Sequence, residues 1–153
     1  NILKGKIKFK LLIIGRGKNK KKIINYIDQN NLTKFIKIIN YQKNPFPYIK
    51  KSNLFVLSSK YEGLPNVLLE ALTLKKFIIS SNCSTGPSEI LDNGKTGLLF
   101  RVGDYKELAK KIIFFNSNRK LCLKMMLVGN KRLKRFDQNL NLIKYFNVIK
   151  NYL

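Results

Sequence analysis

The chain has 153 residues, 44% of them hydrophobic and 11% aromatic, enough for one folded domain with a core of its own. It carries 31 Lys+Arg against 8 Asp+Glu, a net charge of +23, and no histidine. Histidine-based acid–base and nucleophilic catalysis are therefore excluded, which leaves carboxylates, amines and backbone dipoles.

The predicted elements alternate. Ile7 to Ile14 is a strand ending in Gly15-Arg16-Gly17, and Lys20 to Asn30 is a helix with Ile23, Ile24 and Ile27 on one side. Phe35 to Ile39 is a second strand. Asn44 to Ile49 opens a short helix, and Leu54 to Ser58 is a third strand, apolar up to its closing serine. A polar turn, Lys60-Tyr61-Glu62-Gly63, leads into a helix over Pro65 to Leu74 with Pro65 at its first position. Phe77 to Ser81 is a strand, Gly86 to Leu91 begins a helix with Pro87 first, and Gly97 to Phe100 is a short last strand. Asp104 caps a helix through Asn116, and further helices cover Asn118 to Arg135 and Gln138 to Tyr152. The last of these sets Leu140, Ile143, Phe146 and Ile149 on one side. This order predicts an α/β fold, a doubly wound parallel sheet of Rossmann-like type. Ligands of such sheets bind beyond the carboxyl ends of the strands. Gly15 to Gly17, the turn after Ile39, Glu62 to Asn66 and Asn82 to Gly86 all fall on that rim.

No apolar run reaches the ~20 residues of a membrane span. Cys83 and Cys122 have no metal-binding spacing and read as small core residues of a reducing compartment. The first residue is Asn1 rather than Met, so the chain reads as part of something longer. The positive charge suits a polyanion, either nucleic acid or an anionic membrane face. Lysine, however, far outnumbers arginine and is scattered along the chain. That favours compositional drift with weak peripheral membrane attraction over specific nucleic-acid recognition.

Several motifs have two readings. Gly15-x-Gly17 after a strand is either a tight turn or a phosphate loop, because Lys20 stands where a dinucleotide fingerprint needs glycine. Gly94-Lys95-Thr96 resembles the end of a phosphate-binding loop, but Glu89 occupies the required earlier glycine position. Glu89 itself compensates a helix dipole. Singly, Glu62 and Glu70 could be surface charges. Together they bracket a helix start whose free N–H groups favour an anion, and each carboxylate can accept hydrogen bonds from hydroxyls on either side of a diphosphate. With no Asp-x-Asp pair, no residue set suggests a bound metal or other cofactor.

The segments Asn40 to Pro45, Leu54 to Ala71, Ser80 to Leu91 and Asn93 to Leu99, taken in order, resemble glycosyltransferase family 4. The resemblance runs from about Phe9 to the C-terminus, and the two glutamates with seven residues between them are its most specific part. It implies the GT-B architecture, two Rossmann-like domains across a cleft, with residues 1–153 as the C-terminal nucleotide-sugar domain and the N-terminal acceptor domain missing. It further implies metal-independent transfer of a hexose with retention, from a UDP-linked or other nucleoside diphosphate sugar to a glycan or lipid-linked acceptor in surface polysaccharide or glycolipid synthesis. The place implied is the cytoplasm or the cytoplasmic face of a membrane, and the isolated domain is expected to be inactive.

Residue by residue, the resemblance makes Glu62 the catalytic-site contact to the sugar hydroxyls and Glu70 the contact to the ribose. Gly63, Leu64, Pro65 and Asn66 would lie against sugar and diphosphate. Gly15, Arg16 and Gly17 would border the cleft, with Tyr41 and Gln42 near the base. The family's diphosphate-gripping Arg and Lys fall upstream of Asn1, and Asn40 stands where glycine is common. The competing expectations are a nucleotide-sugar epimerase of the same architecture and a basic module binding nucleic acid or membrane.

Overall fold

The computed structural model describes residues 2–150 and 152. In chain order the elements are β1 (Leu11–Ile14), α1 (Lys20–Gln29), β2 (Ile36–Ile39), α2 (Phe46–Lys51), β3 (Leu54–Leu57), α3 (Asn66–Thr73), β4 (Phe77–Ser81), α4 (Pro87–Ile90), β5 (Leu98–Phe100), α5 (Tyr105–Ser117), α6 (Arg119–Lys131), a 3-10 segment (Arg132–Phe136) and α7 (Gln138–Lys150). Every strand pair is parallel, as the alternation requires. The ladders form two ribbons, β1-β2 and β3-β4-β5.

Burial is deepest at β4, the middle strand of the second ribbon. Successive side chains on a strand point to opposite faces, so Phe77 and Ile79 face one way and Ile78 the other. Ile78 joins Ile49, Leu68, Ala71, Leu72, Ile90 and Leu91 beneath α3 and α4. Phe77 and Ile79 join Phe100, Phe115, Cys122 and Met126 beneath α5 and α6, where the Phe77 and Phe115 rings stack at 5.2 Å. Helices on both faces explain why Phe77, Ile78 and Ile79 are apolar in succession rather than alternating with polar residues.

Among the boundaries that differ from the expectation, three have a visible local cause. The ladder of β1 starts at Leu11 rather than Ile7, because its partner begins only at Ile36. Before that point, Phe35 and Ile36 are held in a turn by hydrogen bonds to the Leu32 carbonyl at 2.9 and 3.0 Å. Phe9 therefore meets Phe35 through its ring, at 5.4 Å, instead of through the backbone. Second, Pro65 is the cap of α3 and not its first residue: its ψ of 97° is extended, and the helix starts at Asn66. Third, the helix expected over Asn118 to Arg135 breaks at Arg132 into the 3-10 segment. Arg132 pairs there with Asp92, and Arg135 donates to the Glu89 and Ile90 carbonyls, which draws the segment onto α4.

Asp104 caps α5 as expected, accepting from the Glu107 amide at 2.8 Å. The last helix ends at Lys150 rather than Tyr152, and its apolar stripe is uncovered, with Ile143 and Phe146 57% and 64% exposed. Both cysteines are buried, and neither forms a disulfide among the described residues. Burial raises the Cys122 thiol above its ordinary pKa, against a smaller lowering by the Arg119 guanidinium, which suits a core residue and not a nucleophile. Among the described residues no helix is long and apolar enough to cross a membrane.

Candidate functional site

The β3–α3 connection carries the two glutamates. The apolar strand Leu54–Leu57 gives way to Ser58 and Ser59, and the chain crosses Lys60 and Tyr61 in the open before Glu62. Pro65 is buried, and α3 then anchors itself through Leu68, Ala71 and Leu72, all at or near zero exposure. Glu70 follows on the flank of that buried face. Glu62 and Glu70 are each half-buried. Among the described residues neither carboxylate makes an ion pair or hydrogen bond. They are thus placed by the backbone with their acceptor capacity unspent.

The first turn of α3 holds no acidic side chain and no side-chain cap. Helix starts leave up to four N–H groups without intrahelical partners, and here Leu68 is satisfied by the Pro65 carbonyl at 2.9 Å. Asn66 and Val67, both exposed, present the remaining positive end of the dipole between the glutamates.

The neighbouring β4–α4 loop fastens this connection. Ser81 Oγ donates to the Ser59 carbonyl at 2.7 Å, and Cys83 Sγ meets the same oxygen at 3.2 Å. Thr85 Oγ1 donates to the Glu62 carbonyl at 2.7 Å. Gly86, at φ +83°, lies so close that a Cβ there would sit 1.9 Å from the Gly63 oxygen and 2.6 Å from Pro65 Cδ. Sequence reasoning put Asn82 to Gly86 on the rim but gave Ser81, Thr85 and Gly86 no role. The signal was a run of hydroxyls and a Gly-Pro pair directly after a wholly buried strand.

The remaining predicted residues gather at the ends of β1 and β2. Gly15 extends that ladder by donating to the Ile39 carbonyl at 3.2 Å. The Arg16 guanidinium lies over the Tyr41 ring, 5.3 Å from its centre, and Lys20 Nζ donates to Asn40 Oδ1. Gln42 donates to the Asn40 carbonyl at 3.1 Å, and its own oxygen faces the Tyr48 hydroxyl at 3.4 Å. Gly17 is exposed and accepts from the Lys20 amide at 3.1 Å. The structure therefore brings Gly15, Arg16, Gly17, Tyr41 and Gln42 into one group. Glu62, Gly63, Leu64, Pro65, Asn66 and Glu70 form another. Among the described residues no hydrogen bond or ion pair joins the two. Nor do those residues include a cluster of three or more Cys, Asp or Glu side chains placed to hold a metal ion.

The chain resembles known proteins in sequence and in fold. The chain is 49% identical over 82 residues to the uncharacterized glycosyltransferase MJ1059 of Methanocaldococcus jannaschii, covering 54% of this chain and 20% of that protein. It is 26% identical over 133 residues to the N-acetylgalactosamine-N,N'-diacetylbacillosaminyl-diphospho-undecaprenol 4-alpha-N-acetylgalactosaminyltransferase of Campylobacter jejuni, covering 87% of this chain and 36% of that enzyme. The chain thus spans between a fifth and about a third of the length of these relatives. A crystal structure of a TarM mutant from S. aureus, in complex with Fondaparinux, alpha-GlcNAc-glycerol and UDP, superposes with a TM-score of 0.86 at 24% identity. That superposition covers 95% of this chain and 30% of TarM, and it supports the α/β fold with parallel strands. The family described as "Glycosyl transferases group 1" matches residues 1–139, and the chain belongs to that family.

Proposed function

We propose that this chain is the donor-binding part of a hexosyltransferase that uses a nucleoside diphosphate sugar, UDP-linked, and delivers it to a glycan or lipid-linked acceptor in surface polysaccharide or glycolipid synthesis. The observation that carries this reading is the pair of half-buried, unpartnered carboxylates, Glu62 and Glu70, on either side of the uncapped start of α3. The family match and the glycan-assembling relative support it.

In this reading the diphosphate lies against the N–H groups of Gly63, Leu64, Asn66 and Val67, where oriented amides and the helix dipole favour negative charge. Glu70 accepts hydrogen bonds from the ribose and Glu62 from the transferred sugar. Negative charge builds on the leaving diphosphate as the glycosidic bond breaks. Amides that are already oriented stabilise that charge without the reorganisation water would need. Lys60, in the same loop, adds cationic field. Glu62 positions the sugar; transfer with retention by attack on the leaving-group face asks no covalent bond of it. Tyr41 and Gln42, beside Gly15 to Gly17, would border the base end of the nucleotide, and an N-terminal domain would supply the acceptor. A cytoplasmic membrane face suits a chain of net charge +23.

The test is donor-dependent transfer by the complete polypeptide with Glu62→Ala and Glu70→Ala. Each change is expected to remove a hydrogen bond to a charged group, about 1–3 kcal/mol of transition-state stabilisation. Unaltered kinetics in both variants would overturn the assignment.

A further inference from the structure

The three carbonyls of the acidic loop that contact the β4–α4 loop are those of Ser59, Glu62 and Gly63. Ser81 Oγ and Cys83 Sγ hold the first, Thr85 Oγ1 holds the second, and the third abuts the bare Cα of Gly86. Among the described residues no peptide bond is cis. In a planar trans peptide the carbonyl of one residue and the N–H of the next point in opposite directions. Fastening these carbonyls toward residues 81–86 therefore turns the amides of Lys60, Gly63 and Leu64 the other way. Among the described residues none of those three amides has an acceptor.

We infer that Ser81, Thr85 and Gly86 are positioning residues for the donor site. They set the peptide planes of the acidic loop so that its free N–H groups face the diphosphate, and they fix the backbone from which Glu62 projects. Gly86 serves through the absence of a side chain. Its φ of +83° disfavours any L residue, and a Cβ would drive the Gly63 carbonyl, and with it the Leu64 amide, out of place. Thr85 serves through one hydroxyl, although its side chain touches no proposed ligand. The inference rests on the nucleotide-sugar reading of the preceding section for what the amides face. The clamp itself stands on the geometry alone.

The test compares Thr85→Val, Thr85→Ser and Gly86→Ala in the complete polypeptide, with Ser84→Ala as a neighbouring control and Glu70→Ala as the ligand-contact reference. UDP affinity is read by calorimetry, and hydrogen–deuterium exchange is followed over residues 59–66. Loss of the Thr85 hydroxyl is expected to speed exchange in that segment and to weaken UDP roughly three- to tenfold, the scale of one net hydrogen bond. Thr85→Ser should restore both, Gly86→Ala should exceed both, and Ser84→Ala should change neither. A general loss of stability would move the melting temperature but would not be rescued in step with UDP affinity by serine.

Unchanged exchange in Thr85→Val overturns the clamp whatever the ligand. Faster exchange with UDP affinity unchanged, while Glu70→Ala weakens UDP, overturns the link to the site and leaves the donor assignment standing. If the unaltered protein and Glu70→Ala behave alike toward UDP, the donor assignment is what fails, and the exchange result still judges the clamp.

Discussion

Separate roles for the two glutamates make a prediction that a generic acidic patch does not. Glu70 is proposed to hold the ribose and Glu62 the sugar, so truncating them should affect different parts of the ligand. The size of each effect follows from the site. Leu68, Ala71 and Leu72 lock α3 into the core, so Glu70 is held in place before any ligand arrives. Among the described residues its carboxylate has no protein partner, so truncation leaves no orphaned group behind. The loss is then that of the ligand hydrogen bond alone, about 1–3 kcal/mol for a charged acceptor at a half-buried position. That corresponds to roughly 5- to 150-fold in dissociation constant. Calorimetric titration should show Glu70→Ala weakening UDP and UDP-sugars by the same factor. Glu62→Ala should leave UDP within about twofold and erase the added affinity of whichever UDP-linked hexose binds best. Neither variant should melt differently from the parent by more than surface changes do. The reasoning is refuted if Glu62→Ala weakens free UDP as much as Glu70→Ala does, or if both variants bind as the parent.

Three further expectations concern the scaffold. Leu68 is fully buried among Ile49, Leu72, Ile78 and Ile90, so Leu68→Ala should cost about 3–5 kcal/mol in urea denaturation; a loss under about 1 kcal/mol would contradict the packing. Gly129 on α6 faces Thr96 and Leu72, whose side chains a new Cβ would meet at 3.0 and 3.2 Å, and both neighbours are almost wholly buried. Overpacking of about 1–3 kcal/mol should therefore outweigh the roughly 1 kcal/mol of helix propensity that alanine adds. A stabilised Gly129→Ala protein would show that the contact relaxes.

The amide of Glu107 donates to Asp104, and with a smaller contribution from Arg101 it holds that carboxyl below its usual value of 3.8, against a desolvation that opposes it. A lowered folded-state pKa adds stability that is complete above the unfolded value and disappears as pH falls through the folded one. Denaturation midpoints of the parent should fall toward those of Asp104→Asn as pH drops below 3.8, and parallel pH profiles would contradict the shift.

Much of this was legible in the residues because local and global preferences agree. Phe77 to Ser81 is legible because an apolar run closed by two small serines, set between turns, has one cheap solution, a strand covered on both faces. Asp104 declared itself by its position before an amphipathic run. The misplacements fall where the outcome depended on a partner distant in sequence. Ile7 to Lys10 have strand-forming residues, but the Ile7 amide turns back to the Leu3 carbonyl at 3.3 Å and the parallel ladder begins only at Leu11 and Ile36. Arg132 to Arg135 look helical and leave the helix because Asp92 and the carbonyls of Glu89 and Ile90 are within reach. At the site, the glutamates and the helix start were visible in the pattern. The Thr85 and Gly86 contacts with residues 62–65 were not, since no periodicity encodes which carbonyl a hydroxyl will find across 23 residues.

The central claim is that Glu62 and Glu70 grip a nucleotide sugar across the start of α3. A crystal structure with an intact UDP-linked hexose addresses it directly. The account predicts a Glu62 oxygen about 2.5–3.0 Å from a hydroxyl of the hexose, a Glu70 oxygen at a similar distance from the ribose, and phosphate oxygens on the amides of the intervening loop. A ligand bound elsewhere on the chain, or bound here with both carboxylates turned to solvent, would contradict it.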